Sequence, residues 1–409
     1  PHATLLSSEP AAGARLAVAP SRLRLLFSEP IEVAMSGATI ADANGRSLAL
    51  TVAGDPRDVH ALVALLPPLR PGAHTVGWHI VSADGHRIDG RFMFTVGRAG
   101  AALPNVAATG AADSASSAGG SEAIIGYAAA DSGFVAALGR RPQVPALRAA
   151  AITVLLALAG LSLLIATLPI SGTRPMRLAV VLAVAATALL GAYLAVWSST
   201  AVGAEHGTLD AISLAASTTP GALEIARLAL ALLALWALWL AKRPGLGALF
   251  SGVGVLITGA SGHPAVTQPL IGIPAKSVHL AAAAVWLGGL LWIMTAERHG
   301  ARYVEGTRRI SSLALLSVIV VVATGVLQGF LFLPRLAALT DSTYGRLILV
   351  KAAGLVVLVF FGAFHRRIVP RLDTTIARRR LRGSVRLEIV VMLAVSVAGG
   401  LLAAIAPPR

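Results

Sequence analysis

Asp84 and His86 sit two apart in the stretch Ser82-Ala83-Asp84-Gly85-His86. On an extended strand such positions face the same way, and in a tight Asp-Gly-His turn both side chains splay toward a common point. Imidazole plus carboxylate suits Cu(II), which prefers tetragonal nitrogen and oxygen ligands and heads the divalent affinity order. The plain alternative is a solvated turn. His2, beside an N-terminal amine, adds nitrogen donors on a part of the chain free to reach across a fold. Further along, His263 follows an apolar run in Gly259-Ala260-Ser261-Gly262-His263-Pro264, and His279 opens the next such run. Ionisable groups are costly inside a membrane, so two histidines on consecutive spans point to a cavity or a shared ligand, against the simpler reading of snorkelling to the interface. His206, near Glu205 and Asp210, is a candidate handover ligand, although acidic loops are commonly just solvated. His60, His74 and His79 lack a partner motif and read as surface or packed strand residues. His299 and His365 fall among arginines, which disfavour a bound cation. The chain has no cysteine, which removes disulfides, iron–sulfur ligation and thiolate copper sites.

The elements that must position these residues are of two kinds. The chain is 56% hydrophobic and 13% charged over 409 residues, with mean hydropathy +0.76, far too apolar for an ordinary soluble protein. Long uncharged runs alternate with short basic clusters, so the net charge of +15 reflects loop arginines rather than a nucleic-acid surface. Residues 1–97 carry short alternating segments at 22–27, 38–41, 48–52, 62–66, 75–81 and 91–96, separated by Asn44-Gly45, Pro67-Pro68 and Pro71-Gly72. That spacing predicts an all-β Greek-key sandwich or barrel. Residues 98–144 are rich in Ala, Gly and Ser and read as a flexible tether, with 124–138 apolar enough for a short surface helix. Residues 145–409 predict an all-α polytopic membrane domain of about eight helices, near 147–168, 177–197, 222–241, 246–262, 275–296, 309–333, 345–365 and 385–406. Arg174 and Arg177, Lys242 and Arg243, Arg298 to Arg309, and Arg366 to Arg386 mark alternate connections, whereas 198–221 has no Lys or Arg and 263–277 only Lys276. This asymmetry predicts a β-domain and a C-terminus both outside, with His263 and His279 toward the outer leaflet. Within the spans, Glu224 and Arg227 are spaced to pair on one helix face, and Lys351 and Glu388 read as counter-ions between the last two spans.

The first hundred residues resemble the CopC family of periplasmic copper-binding proteins. His2-Ala3-Thr4-Leu5, Ser8-Glu9-Pro10-Ala11-Ala12-Gly13, Leu25, Phe27-Ser28-Glu29-Pro30, Trp78 through His86, and Gly90-Arg91-Phe92 with Phe94 and Val96 carry the likeness. It implies a cupredoxin-like sandwich with a Cu(II) site on His2, Asp84 and His86. One departure is that Pro1 precedes the histidine that is normally the family's mature N-terminus, so this start is read as mature or trimmed. Only Met35 and Met93 occur in this half, so Cu(II) alone is expected there. The membrane half is similar to the CopD family over about 145–406, on residues 259–264, His279 to Leu290, Ala323-Thr324-Gly325, Tyr344 to Lys351, Arg366 and Ser384 to Glu388. That resemblance implies copper handling across the inner membrane, with a Cu(I) or Cu(II) site on His263 and His279.

Together these readings predict a non-enzymatic copper carrier of the bacterial inner membrane. It takes Cu(II) outside and passes it to the membrane site for import. Its expected partners are the copper ion and the lipid bilayer, with a periplasmic copper chaperone or a reductase as candidates and nucleic acid excluded; oligomeric state and transport direction stay open. Two rivals differ in class: a haem-binding redox membrane protein using the paired histidines as axial ligands, and a copper delivery module for cuproenzyme assembly that transports nothing. No nucleophile–base pair or phosphate-cradling loop appears, which disfavours hydrolytic and ATP-driven mechanisms.

Overall fold

The computed structural model describes residues 3–97, 143–168, 173–203, 206–262, 268–297, 301–333, 335–403 and 405. The tether expected at 98–144 lies almost wholly outside these residues. The chain divides into a β unit and a helical unit.

In the β unit, strands β1 (Leu5–Glu9), β3 (Arg22–Phe27), β7 (Asp58–Leu65) and β6 (Val52–Asp55) form one sheet in the order β1-β3-β7-β6. The second sheet runs β2 (Arg15–Leu16), β9 (Arg87–Val96), β8 (Gly72–Val81), β4 (Gly37–Ala41) and β5 (Ser47–Leu50). The two sheets form an all-β sandwich. Alternation decides which side faces inward: Leu23, Leu25 and Phe27 of β3 and Phe92, Phe94 and Val96 of β9 are buried, with the residues between them more exposed. They meet Ile40, Leu62, Val76 and Ile80 in one apolar core, where Phe27 and Trp78 pack edge to face at 5.1 Å. The six predicted segments all form strands. The run at 48–52 splits into β5 and β6, and the alternation test misses β1 and β2 because Leu5–Glu9 shows no inside–outside rhythm.

The helical unit contains α1 (Gln143–Thr167), α2 (Arg174–Val202), α3 (Thr208–Ala216), α4 (Thr219–Trp239), α5 (Pro244–Gly259), α6 (Pro269–Thr295), α7 (Ala301–Phe332), α8 (Thr343–Ile368) and α9 (Thr375–Leu402). Among the described residues seven of these are long and apolar enough to cross a membrane. The eighth predicted span, 246–262, is α5, whose 16 residues reach only about 24 Å, short of a ~30 Å hydrocarbon core. The 198–221 connection, read as a loop, contains the helix α3. Side-chain caps fix three starts: Thr218, Ser342 and Thr374 accept from the backbone N–H of Gly221, Gly345 and Ala377.

Helix α1 is the most enclosed span and packs against α2, α5, α6 and α9. Its contact with α6 is a crossing of small residues. A Cβ on Gly160 would collide with the Ala284 carbonyl, and one on Gly288 with the Gly160 backbone. Backbones this close explain why glycine stands at both positions.

Candidate functional site

The β8–β9 hairpin positions the first group. Val81 pairs with Arg87, and residues 82–86 close the turn with Ser82 N–H donating to the His86 carbonyl at 3.0 Å. Gly85 has φ +88°, a left-handed conformation that suits glycine. Ser82 Oγ and the His86 backbone N–H both donate to Asp84 Oδ1, which holds the carboxylate in place. The other oxygen, Oδ2, lies 3.0 Å from His86 Nδ1, with the Asp84 side chain fully buried and that of His86 18% exposed. Of the two geometries the spacing allowed, this is the turn rather than the flat strand. The two donor atoms are spaced as neighbouring ligands of one ion would be.

His2 lies outside the described residues. The chain just after it is tied to the same corner: Thr4 N–H donates to Ser28 Oγ and Ser28 N–H to the Thr4 carbonyl, both at 2.9 Å. Two residues on, the Pro30 carbonyl accepts from Ala83 N–H at 2.9 Å. Met35 is buried and Met93 exposed on separate elements, so they do not form a thioether pair. His74 Nε2 donates to the Arg70 carbonyl (2.8 Å) beside Phe94, and His60 Nδ1 lies 3.0 Å from Asp58. His79 packs over Gly37. All three have structural partners.

In the helical unit, His279 sits on α6, half-buried, with Nδ1 2.9 Å from Thr324 Oγ1 on α7. The Thr324 hydroxyl donates to the Val320 carbonyl at 2.6 Å, so toward His279 its oxygen is an acceptor. Nδ1 therefore carries the proton, and Nε2 keeps its lone pair for a ligand. Gly325 leaves room beside the ring, since a Cβ there would come no nearer than 3.8 Å to His279 Cε1.

His263 lies outside the described residues, but the end of α5 leading to it is clamped to α6. Lys276 Nζ donates to the Ser261 carbonyl (2.6 Å), and Ser277 Oγ donates to the Leu256 carbonyl (3.1 Å). Gly259 leaves room for Ser277, and Arg148 of α1 reaches Ser261 Oγ at 3.4 Å. Ser261 is thus held by a side chain that stands three residues before His279 on α6. Lys276, read from sequence as a loop charge, is part of that helix.

His206 is exposed, as is Asp210 in the first turn of α3, while Glu205 lies outside the described residues. No three His, Asp or Glu side chains among the described residues come close enough to hold one ion.

The expected Lys351–Glu388 pairing does not form. Lys351 lies against Gly399, and Glu388 is engaged elsewhere: Trp286 Nε1 donates to its Oε1 (2.9 Å), and its Oε2 is 3.1 Å from His365 Nδ1. His365 Nε2 is 2.8 Å from Ser384 Oγ. Axial position is the reason: Lys351 precedes His365 by about 21 Å along α8, so His365 and not Lys351 stands level with Glu388. Ser384 and Glu388 are one turn apart on α9, on the face turned to His365. The Glu224–Arg227 pair does form, with Arg227 Nη1 2.6 Å from both carboxylate oxygens.

Comparison with known proteins gives the same two parts. Residues 5–97 match the CopC domain, and residues 305–402 match Copper resistance protein D. The Copper transport protein CutJ of Bacillus subtilis (strain 168) is 27% identical over 424 residues, covering 97% of this chain and 73% of its own. Copper resistance protein C of Escherichia coli is 37% identical over 105 residues, 23% of this chain and 81% of its own. The crystal structure of CopC from Methylosinus trichosporium OB3b covers 24% of this chain and 94% of its own at 28% identity, with TM-score 0.22.

Proposed function

From the premise that this chain belongs to the CopC/CopD copper-resistance family, with both modules fused in one multi-pass membrane polypeptide, we propose that it captures Cu(II) outside the cell membrane and hands it to a site within the bundle for import. The capture ligands are Asp84 and His86, joined by His2. From Thr4, two residues of chain span up to ~7 Å, and Thr4 is already bonded beside the Pro30–Ala83 corner. The receiving ligands are His279, through Nε2, and His263, with His206 a candidate for the handover. With the short α5 also crossing, packed among α1, α4 and α6, the β unit and the C-terminus face outward, in keeping with the basic alternate connections, and the membrane is the bacterial inner membrane.

The observation that carries this reading is the tautomer of His279. Thr324 Oγ1 accepts a hydrogen bond from His279 Nδ1–H, and an imidazole held so is a metal-ready donor in an otherwise apolar span. Each half thus owns imidazole donors for the same ion, and the tether makes the transfer intramolecular. The test is copper accumulation in cells bearing His263→Ala and His279→Ala. Accumulation should be lost, while Cu(II) binding to the β unit, read by paramagnetic resonance, is kept. Unchanged accumulation would refute the pathway.

A further inference from the structure

We infer that the buried couple His365–Glu388, with Met392 one turn further along α9, is a second intramembrane copper site that takes the ion as Cu(I). It lies beyond the His263/His279 station and is filled after an external thiol reductant has acted upstream, two thiols reducing two Cu(II) to two Cu(I) with formation of one disulfide and release of two protons. The premise that copper is the cargo comes from the reading above; the site itself rests on its own geometry.

Glu388 is 1% exposed and His365 8%, between α6, α8 and α9. A carboxylate so deep in an apolar bundle is functional by default. Its Oε1 is anchored by Trp286, but Oε2 accepts no hydrogen bond among the described residues, although His365 Nδ1 stands 3.1 Å away. That ring nitrogen is near but out of line for N–H donation, the arrangement of two donors facing a shared cation. The same couple recurs in the β unit, where a carboxylate oxygen and an imidazole Nδ1 are 3.0 Å apart. His365 is further oriented by Ser384 at its Nε2.

Charge and softness select the ion. With a neutral imidazole the couple carries one negative charge, which a monovalent cation cancels and a divalent one overcompensates in a medium where net charge is costly. Met392 is buried and follows Glu388 by four residues, which puts it on the same helix face. A thioether beside imidazole favours Cu(I). The arginines that argued against a cation here are turned away: Arg366 and Arg367 are exposed while His365 is buried, as the 100° step of a helix dictates. Trp286 lies seven residues past His279 on α6, about 10 Å along the axis, so the two stations follow one another through the bundle.

The test is anaerobic Cu(I) titration of the full-length protein in detergent, with His86→Ala and His279→Ala present to silence the other stations. That background should bind one Cu(I) per chain. His365→Ala and Glu388→Gln should each weaken this binding at least tenfold. Glu388→Gln still offers Trp286 an acceptor, which guards against simple misfolding. Met392→Leu, which conserves volume, should remove the sulfur scatterer from the X-ray absorption spectrum. Wild-type Cu(I) affinity in Glu388→Gln, or no Cu(I) bound in the background protein, overturns the site. Cu(I) binding at this site together with no copper accumulation by the wild-type protein in cells would leave this site standing and sink the import reading instead.

Discussion

At the level of single residues, the chemistry rests on partners that hold donor atoms ready. Thr324 is the clearest case: it touches no ion in this reading but decides which nitrogen of His279 keeps a lone pair. Thr324→Val should therefore lower copper affinity of the membrane site by about 10–100-fold, the usual cost of losing an outer-sphere partner. Thr324→Ser should restore it, as read by copper retention in the purified protein. A different residue-level effect governs acid tolerance of the β unit. The backbone N–H of Arg57 and the Arg24 guanidinium hold Asp55 below the ordinary 3.8, and the His60 backbone and ring do the same for Asp58, aided by Arg24. Both carboxyls are more acidic folded than unfolded, so their stabilisation is complete above the unfolded value and is lost as pH falls through the lower folded value. The β unit should lose stability below about pH 4. Asp55→Asn with Asp58→Asn should flatten that loss, as followed by near-ultraviolet circular dichroism.

At the level of elements, two helix features are open to direct test. The α1–α6 crossing depends on glycine at positions 160 and 288, where backbone meets backbone. Gly160→Val should force the helices apart, displace the α6 segment bearing His279, and lower the unfolding temperature of the detergent-solubilised protein. Gly191, whose added Cβ would meet nothing within 4 Å, is the control, and Gly191→Ala should be silent. In α4, Glu224 pairs with an Arg227 whose Nε and Nη2 are buried without a hydrogen bond among the described residues. Removing the carboxylate by Glu224→Ala leaves a buried guanidinium uncompensated and should cost about 3–5 kcal/mol of stability. Replacing both by leucine should cost far less, measured by the same unfolding assay.

At the level of the whole molecule, fusion matters because it replaces a diffusional encounter by a tethered one. A flexible connection can sustain an effective concentration near roughly a millimolar. Splitting the chain within 98–142 and expressing the halves separately should lower accumulation most at scarce copper and least at abundant copper. Equal accumulation at all copper levels would mean that the tether has no part in the transfer.

How much of this was legible beforehand follows from the range of each interaction. Strand alternation, span hydropathy and loop arginines are local averages, and they sufficed for a β-sandwich followed by membrane helices. The adjacency of Asp84 and His86 is equally local, since five residues and one glycine close the turn. The same local logic misjudged the partner of Glu388. The nearest opposite charge in the pattern, Lys351, looked decisive, yet it lies about 21 Å along α8 from the residue level with Glu388. Which side chains meet across α6, α8 and α9 is set by how three helices rotate against one another. That rotation minimises the packing energy of the entire bundle, and no segment carries it alone. The kinds of atoms able to bind copper are thus written in the linear chain; the pairing of those atoms, the proton on His279 and the company of Glu388 exist only once the helices have packed.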